Sequence, residues 1–264
     1  MKHASPLLTV MMRAALKAAR KLNRDFGELD RLQVSRKGIA DFVSTADHNA
    51  EKTLVEELLK ARPKFGVLTE ETLSCDGQSS SRWIIDPLDG TTNFLHAIPH
   101  FAISIAAEDN GEIIAGVVYD PIRDEMFAAE KGRGAFLNNS RLRVSERRDL
   151  SQAIIAVAPP RASTDHHDRQ DKCLNHVTPH IAATRRFGSV ALDLAYVSAG
   201  RFEGFWEMGP HYWDVAAGML LVTEAGGCVS TLTADKKPIT PETDTIIAGN
   251  SHLYQPLLDK LMEV

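Results

Sequence analysis

The densest chemical signal in the chain is Asp86-Pro87-Leu88-Asp89-Gly90-Thr91-Thr92-Asn93-Phe94. Its two carboxylates lie on either side of a proline-containing turn, so both can converge on one point. Gly90 permits a tight backbone approach, and Thr91-Thr92 can open a helix whose free N–H groups favour an anion. Carboxylates beside an anion site repel a phosphate unless hard cations lie between them. Mg²⁺ binds in that way, through a few carboxylates and the substrate's phosphate oxygens. Asp-Pro and Asp-Gly are also ordinary turn punctuation, and either dipeptide alone reads as a turn. The full string is far more specific.

Three further acidic spots could complete such a site. Glu70-Glu71 follows the apolar stretch Phe65-Gly66-Val67-Leu68, Asp47 lies near the start of a helix, and Trp213-Asp214 precedes another. Each has a plainer reading, as a solvated surface acid or a helix cap. Together they would make a multi-carboxylate pocket of the two-metal phosphoryl-transfer type. No serine-centred elbow and no glycine-rich lysine loop competes with it. His166-His167, flanked by Asp165 and Asp168, could bind metal, but Ser163-Thr164-Asp165 reads as the polar start of a helix. His211-Tyr212 either borders the pocket or packs against Trp213.

The elements that must position these residues follow from periodicity. Ser5-Pro6 starts a first helix that runs to about Leu29, with Leu8, Met12, Ala15, Ala19, Leu22 and Phe26 on one stripe. A second helix spans about Ala46 to Ala61, and Pro63 stops it. The polar piece between, Gln33 to Ser44, reads as a mobile loop. Trp83-Ile84-Ile85 is a strand feeding the acidic string. Phe101, Ile103, Ile105 and Ala107 alternate, Asn110-Gly111 turns the chain, and Glu112 to Tyr119 returns. Short strands are expected near Met126, Phe136 and Val144.

In the second half, Ser189 caps a helix that ends before Gly200, with Leu192, Ala195, Tyr196 and Ala199 facing the core. Phe202 to Glu207 and Ile246 to Ala248 read as strands, Asp214 to Glu224 as a helix, and a last helix follows. Helices and antiparallel hairpins intermix, which indicates an α+β fold. No linker separates autonomous domains, so 1–264 reads as one domain, with a metal-site half (about 1–145) and a C-terminal half (about 146–264).

Composition narrows the function classes. Of 264 residues, 44% are hydrophobic and 25% charged, as in globular proteins. The formal net charge of −5 argues against a nucleic-acid partner. The longest apolar candidate, Ala97 to Ala107, contains His100 and is too short to span a membrane. No signal peptide is read at the start. Cys75, Cys173 and Cys228 have no disulfide or metal spacing, and a cytoplasmic home is expected.

The chain resembles the inositol monophosphatase family, most closely its bacterial members. The resemblance is carried by Leu68-Thr69-Glu70-Glu71, Trp83 to Phe94, Arg185-Arg186-Phe187-Gly188-Ser189 on to Gly209, and Trp213-Asp214-Val215-Ala216-Ala217-Gly218 continuing to Gly227. It implies a layered αβαβα sandwich and a homodimeric, lithium-inhibited phosphatase that uses two or three Mg²⁺ ions on a small phosphorylated polyol. Inositol 1-phosphate is the first expected substrate. Fructose 1,6-bisphosphatase and histidinol-phosphatase activities are the enzyme alternatives, with 3′-phosphoadenosine phosphatase behind them. A regulatory partner with a vestigial site is the alternative from another class.

Carried over by motif, Glu70, Asp86 and the Leu88 carbonyl match ligands of one metal, and Asp86, Asp89 and Asp214 those of a second. Glu70 reaches a third through water. Thr91 with Asp47 matches the pair that orients the attacking water. Gly90 and Thr91 N–H groups match phosphate contacts. Asp89, Ser189, Ala191 and Glu207, with Arg185 nearby, match the region that holds the polyol hydroxyls. Thr69 stands where many relatives have Gly, and Ser44 where Thr is frequent.

Overall fold

The computed structural model describes residues 4–29, 34–38, 41–158 and 166–264. Helix α1 (Pro6–Phe26) opens as expected, with the Ser5 hydroxyl accepting the Leu8 N–H at 3.1 Å. It ends at Phe26 rather than near Leu29, because Gly27 turns back to donate to the Asn23 and Arg24 carbonyls. The expected loop before α2 is corrected to an antiparallel ribbon, β1 (Val34–Gly38) with β2 (Asp41–Ser44). This ribbon joins neither main sheet. It therefore needs no alternating apolar face, and its polarity gave no strand signal. Gln33 lies outside the described residues. Helix α2 (Thr45–Ala61) buries Ala50, Leu54 and Leu58.

The next elements are β3 (Gly66–Thr69), β4 (Ser81–Asp89), α3 (Thr91–Leu95), β5 (Ala102–Asp109) and β6 (Glu112–Asp120). Then come β7 (Glu125–Glu130), β8 (Gly134–Leu137) and β9 (Ser140–Arg141). The strands form a seven-stranded sheet in chain order, with β3 parallel to β4 and the other neighbours antiparallel. Asn110 and Gly111 both take positive φ in the β5–β6 turn, as a tight hairpin requires. The strand expected near Val144 is absent. Val144 N–H makes a bond to the Ala225 carbonyl and its side chain closes the edge of a core.

The second half holds β10 (Ile154–Val157), α4 (His167–Val177), β11 (Ala183–Arg185), α5 (Val190–Ser198) and β12 (Gly204–Met208). It continues with α6 (Tyr212–Glu224), β13 (Cys228–Ser230), β14 (Thr245–Gly249) and α7 (Tyr254–Met262). A five-stranded sheet runs β11-β10-β12-β14-β13. Phe202 and Glu203, expected in β12, precede it. The Glu203 carboxylate leaves the strand direction to accept from Arg147 Nη1 and the Ile154 N–H, both at 2.7 Å. Helix α6 begins at Tyr212, ahead of the expected Asp214.

Alternation within the strands sets the layers. Trp83 and Ile85 join α1 and α2 in one core. Ile84, on the other face, joins α5, α6, Phe205, Ile246 and Ala248 in a second. Trp206 and Ile247 turn to a third core with residues of α4 and α7. The order is α1/α2, sheet, α5/α6, sheet, α4/α7: an α+β sandwich of the αβαβα kind. The middle helices touch closely, since a Cβ on Gly218 would lie 2.5 Å from the Leu194 Cβ. Among the described residues no helix is long and apolar enough to cross a membrane. The three cysteines are free thiols.

Candidate active site

The acidic string occupies the end of β4. Regular alternation would send Asp86 and Asp89 to opposite faces. Here Asp86 pairs with Ser104 and Asp89 with Ala102, so β4 carries one residue more than β5 between these pairs. This bulge re-aims the side chains. Pro87, which has no N–H to give a ladder, falls inside it. Asp86 Oδ1 accepts the Leu88 N–H at 2.9 Å. Gly90 follows with φ +95°, and a Cβ there would press on the His100 and Gly188 carbonyls at 3.1 and 3.2 Å. Both its conformation and its close approach therefore demand glycine. Helix α3 starts at once with no side-chain cap on its first-turn N–H groups.

Four carboxylates gather around this bend. Burial first, and then the charges of Glu70, Asp89 and Asp214, push the Asp86 carboxyl well above its usual range. Asp89 is pushed up to about 6 by burial, with bonds from Ser189 and Ala191 pulling the other way. Among the described residues no ion pair reaches Asp86 or Asp89, and no three His, Cys, Asp or Glu side chains are placed to hold a metal ion by themselves. The donors are hard oxygens of like charge, with Leu88 O beside them. That chemistry fits divalent cations of the Mg²⁺ class.

Each acid arrives from a different element. Glu70 follows β3, and its N–H bonds to Ile85 O at 3.3 Å, next to Asp86. Asp214 lies in the first turn of α6, where Oδ2 accepts the His211 N–H at 3.2 Å. Asp214 therefore caps α6 while its charge lies close enough to raise the Asp86 carboxyl. Asp47 likewise caps α2, its Oδ2 accepting the Ser44 N–H at 2.8 Å and the Ser44 hydroxyl at 2.6 Å. Its Oδ1 accepts from Thr91 Oγ1 at 3.0 Å. Thr91 Oγ1 is also 3.0 Å from Leu88 O, so its single proton has two acceptors behind it. Burial raises the Asp47 carboxyl, and the Ser44 and Thr91 bonds oppose the rise.

On the far side, Asp89 Oδ2 accepts the Ser189 hydroxyl at 2.6 Å and the Ala191 N–H at 2.7 Å. Ser189 does not cap α5 with its side chain, as its sequence position suggests. Asp89 does so from across the molecule. Glu207 lies in β12, 4% exposed, on the strand face that carries Phe205 toward α5. Arg185 ends β11 at the sheet edge, where Nη1 donates to Thr184 O at 2.8 Å. No described hydrogen bond joins it to the carboxylates.

His166 Nε2 lies 2.8 Å from Asp244, away from this cluster, and Asp165 lies outside the described residues. His211 stacks on Trp213 at 4.4 Å, while the Tyr212 hydroxyl reaches Glu108 at 3.0 Å.

Sequence reasoning passed over three buried polar residues at or beside this site. Asn93 Nδ2 donates to His100 O at 2.8 Å and Phe187 O at 2.7 Å, tying α3 to the segment before Ser189. Asp193 is 1% exposed in α5, and burial with the Asp89 charge pushes its carboxyl well up. Glu51, one turn after Asp47, is 1% exposed. Its i,i+4 spacing from Asp47 was the available signal.

The model of the Inositol monophosphatase family matches residues 3–263. The chain belongs to the inositol monophosphatase family. It is similar to an inositol-1-monophosphatase of Rhizobium meliloti strain 1021, at 52% identity over 96% of this chain and 95% of the relative. It is also similar to the Nus factor SuhB of Pseudomonas aeruginosa, at 43% identity over 96% and 94%. Among solved structures, extragenic suppressor protein suhB from Bartonella henselae superimposes with a TM-score of 0.93 at 51% identity, covering 97% of this chain and 98% of that one. Membership places the chain among phosphatases and accounts for its layered fold.

Proposed function

We propose that this chain hydrolyses a small phosphorylated polyol, inositol 1-phosphate first, with Mg²⁺ as cation and water as nucleophile. The observation that carries the reading is the pair of buried Asp47 and half-buried Thr91, 3.0 Å apart beside the carboxylates whose charges raise Asp86. Glu70, Asp86, Asp89, Asp214 and the Leu88 carbonyl would hold two or three Mg²⁺ ions. When bound, Mg²⁺ acidifies water and offsets phosphate charge.

The remaining steps fall to the chain itself. The Thr91 proton points at Asp47 or Leu88, which leaves its oxygen to accept a hydrogen bond from the attacking water. As the water's proton passes to Thr91, the Thr91 proton moves onto Asp47. Glu70 serves as a further acceptor for that water. The Gly90 and Thr91 N–H groups hold phosphate oxygens. Ser189, Ala191, Glu207 and Asp89 face the polyol hydroxyls, Glu207 as acceptor, and Arg185 stands nearby.

The test is a phosphate-release panel with inositol 1-phosphate, fructose 1,6-bisphosphate and histidinol phosphate. Release should stop in excess chelator, return with Mg²⁺, and fall at millimolar lithium. Full activity after exhaustive chelation would overturn the cation reading. Preference for another phosphate would move the substrate and leave the mechanism standing.

The relatives named Nus factor SuhB favour a second reading, a regulatory partner role for the chain. An intact cation site without phosphatase activity on any member of the panel would support it. A homodimer belongs to the same proposal. Ile98 and Phe187, two exposed large apolar residues, line one cavity, and exposed Ile122 adjoins Arg123 on its wall. A cytoplasmic setting suits the three free thiols.

A further inference from the structure

The segment that carries Glu70 has a second anchor besides its bond to β4. Glu51 Oε2 accepts the Thr69 hydroxyl at 2.6 Å and the Glu71 N–H at 3.0 Å. Its Oε1 accepts the Thr72 N–H at 3.1 Å, the Thr72 hydroxyl at 3.2 Å and the Leu73 N–H at 3.1 Å. One buried carboxylate on α2 thus grips the residues on both sides of Glu70. The other anchor is the Glu70 N–H bond to Ile85 O in β4. Asp47, one helical turn earlier, holds Thr91. A single face of α2 therefore holds both the hydroxyl that would orient water and the segment bearing a carboxylate of the cluster.

We propose that Glu51 is a positioning residue: its carboxylate holds the 69–73 segment so that Glu70 is pre-set for the divalent cation before any cation arrives. The proposal rests on the cation reading above. A carboxylate is suited to this task because it is acceptor-only and meets N–H and O–H groups alone. Preorganisation of this kind lowers the ordering cost of binding, so its loss should fall on cation affinity more than on turnover at saturation.

Glu51→Gln keeps the volume but turns an NH₂ toward backbone N–H groups whichever way the amide is rotated. Amide exchange in the metal-free protein and Mg²⁺ titration by calorimetry read the two halves of the proposal. In Glu51→Gln the Glu71, Thr72 and Leu73 amides should exchange at least tenfold faster. Mg²⁺ affinity should fall about tenfold, with turnover at saturating Mg²⁺ within about threefold of wild type. Thr69→Val removes one donor and should show the same pattern at about threefold; it decides alone if Glu51→Gln does not fold. Faster exchange with unchanged Mg²⁺ affinity would overturn the positioning role, as would unchanged exchange. A wild-type chain that takes up no Mg²⁺ would instead overturn the cation site itself.

Discussion

The two ends of the β4–β5 pair treat buried carboxylates in opposite ways. At the first, Arg82 sits across from Glu108 and grips it with two bonds, Nε at 2.7 Å and Nη2 at 3.2 Å. The Tyr212 hydroxyl from α6 adds a third. At the second, Asp86 faces Ser104 across the ladder, and its charged neighbours are three more acids. His100, beside Gly90 at that end, is 7% exposed with Nε2 lacking a hydrogen-bond partner among the described residues. Burial, with the Arg123 charge, lowers its pKa to about 4. A buried charge matched by its opposite holds a fold together, whereas burial and like charges around Asp86 keep its carboxyl well above the usual range. The same strand pair thus has an end that fits a structural role and an end that fits the proposed chemistry.

The largest expected effect breaks the chemical end. Asp86→Asn should reduce turnover about 1,000-fold, some 4 kcal/mol of transition-state stabilisation. Metal-free thermal stability should hold or rise, because a repelled buried charge is gone. A fall in stability as large as the fall in activity would place Asp86 with Glu108 as a structural acid. Asp214→Asn comes next, at about 100-fold or ~2.7 kcal/mol. Asn still accepts the His211 N–H, so folding should be preserved. Wild-type turnover in that variant would leave capping as the whole role of Asp214.

At the structural end the signs reverse. Arg82→Met leaves Glu108 buried without its cation. The unfolding free energy should fall by about 2 kcal/mol, less than a fully buried pair would lose because Arg82 is partly exposed. Turnover per folded molecule should change little, and a 100-fold loss would erase the distinction between the two ends.

The smallest effect is a slope. His100 binds its proton in the unfolded chain before it does in the folded one. Stability should therefore fall as pH is lowered from 6.5 toward about 4, by about 1.4 kcal/mol per pH unit at most. His100→Gln should flatten that part of a pH series of denaturation curves. An unchanged slope would assign it to other groups.

What could be read in advance was local. The string from Asp86 to Phe94 is contiguous, so its turn, glycine and threonines declared themselves together. The Ser44–Asp47 cap has the short spacing that capping needs. The β1–β2 ribbon was missed because a strand pair outside the main sheets has no buried face to imprint a pattern. Glu51 was missed because an acid on a helix reads as surface until the loop that surrounds it is in place.

The sequence by itself determined the chemistry on offer: acids of the right type, a glycine where only glycine fits, apolar periods that build the layers, and the family. Those depend on side-chain identity and on neighbours a few residues away. Only the tertiary structure decided which acids meet. One extra residue in β4 overrides strand alternation and lets Asp86 and Asp89 act together. The packing of α6 on the sheet brings in Asp214, and Asp89, not Ser189, caps α5. Charge, burial and repulsion are properties of distances in space, and chain order sets those only after the layers have packed.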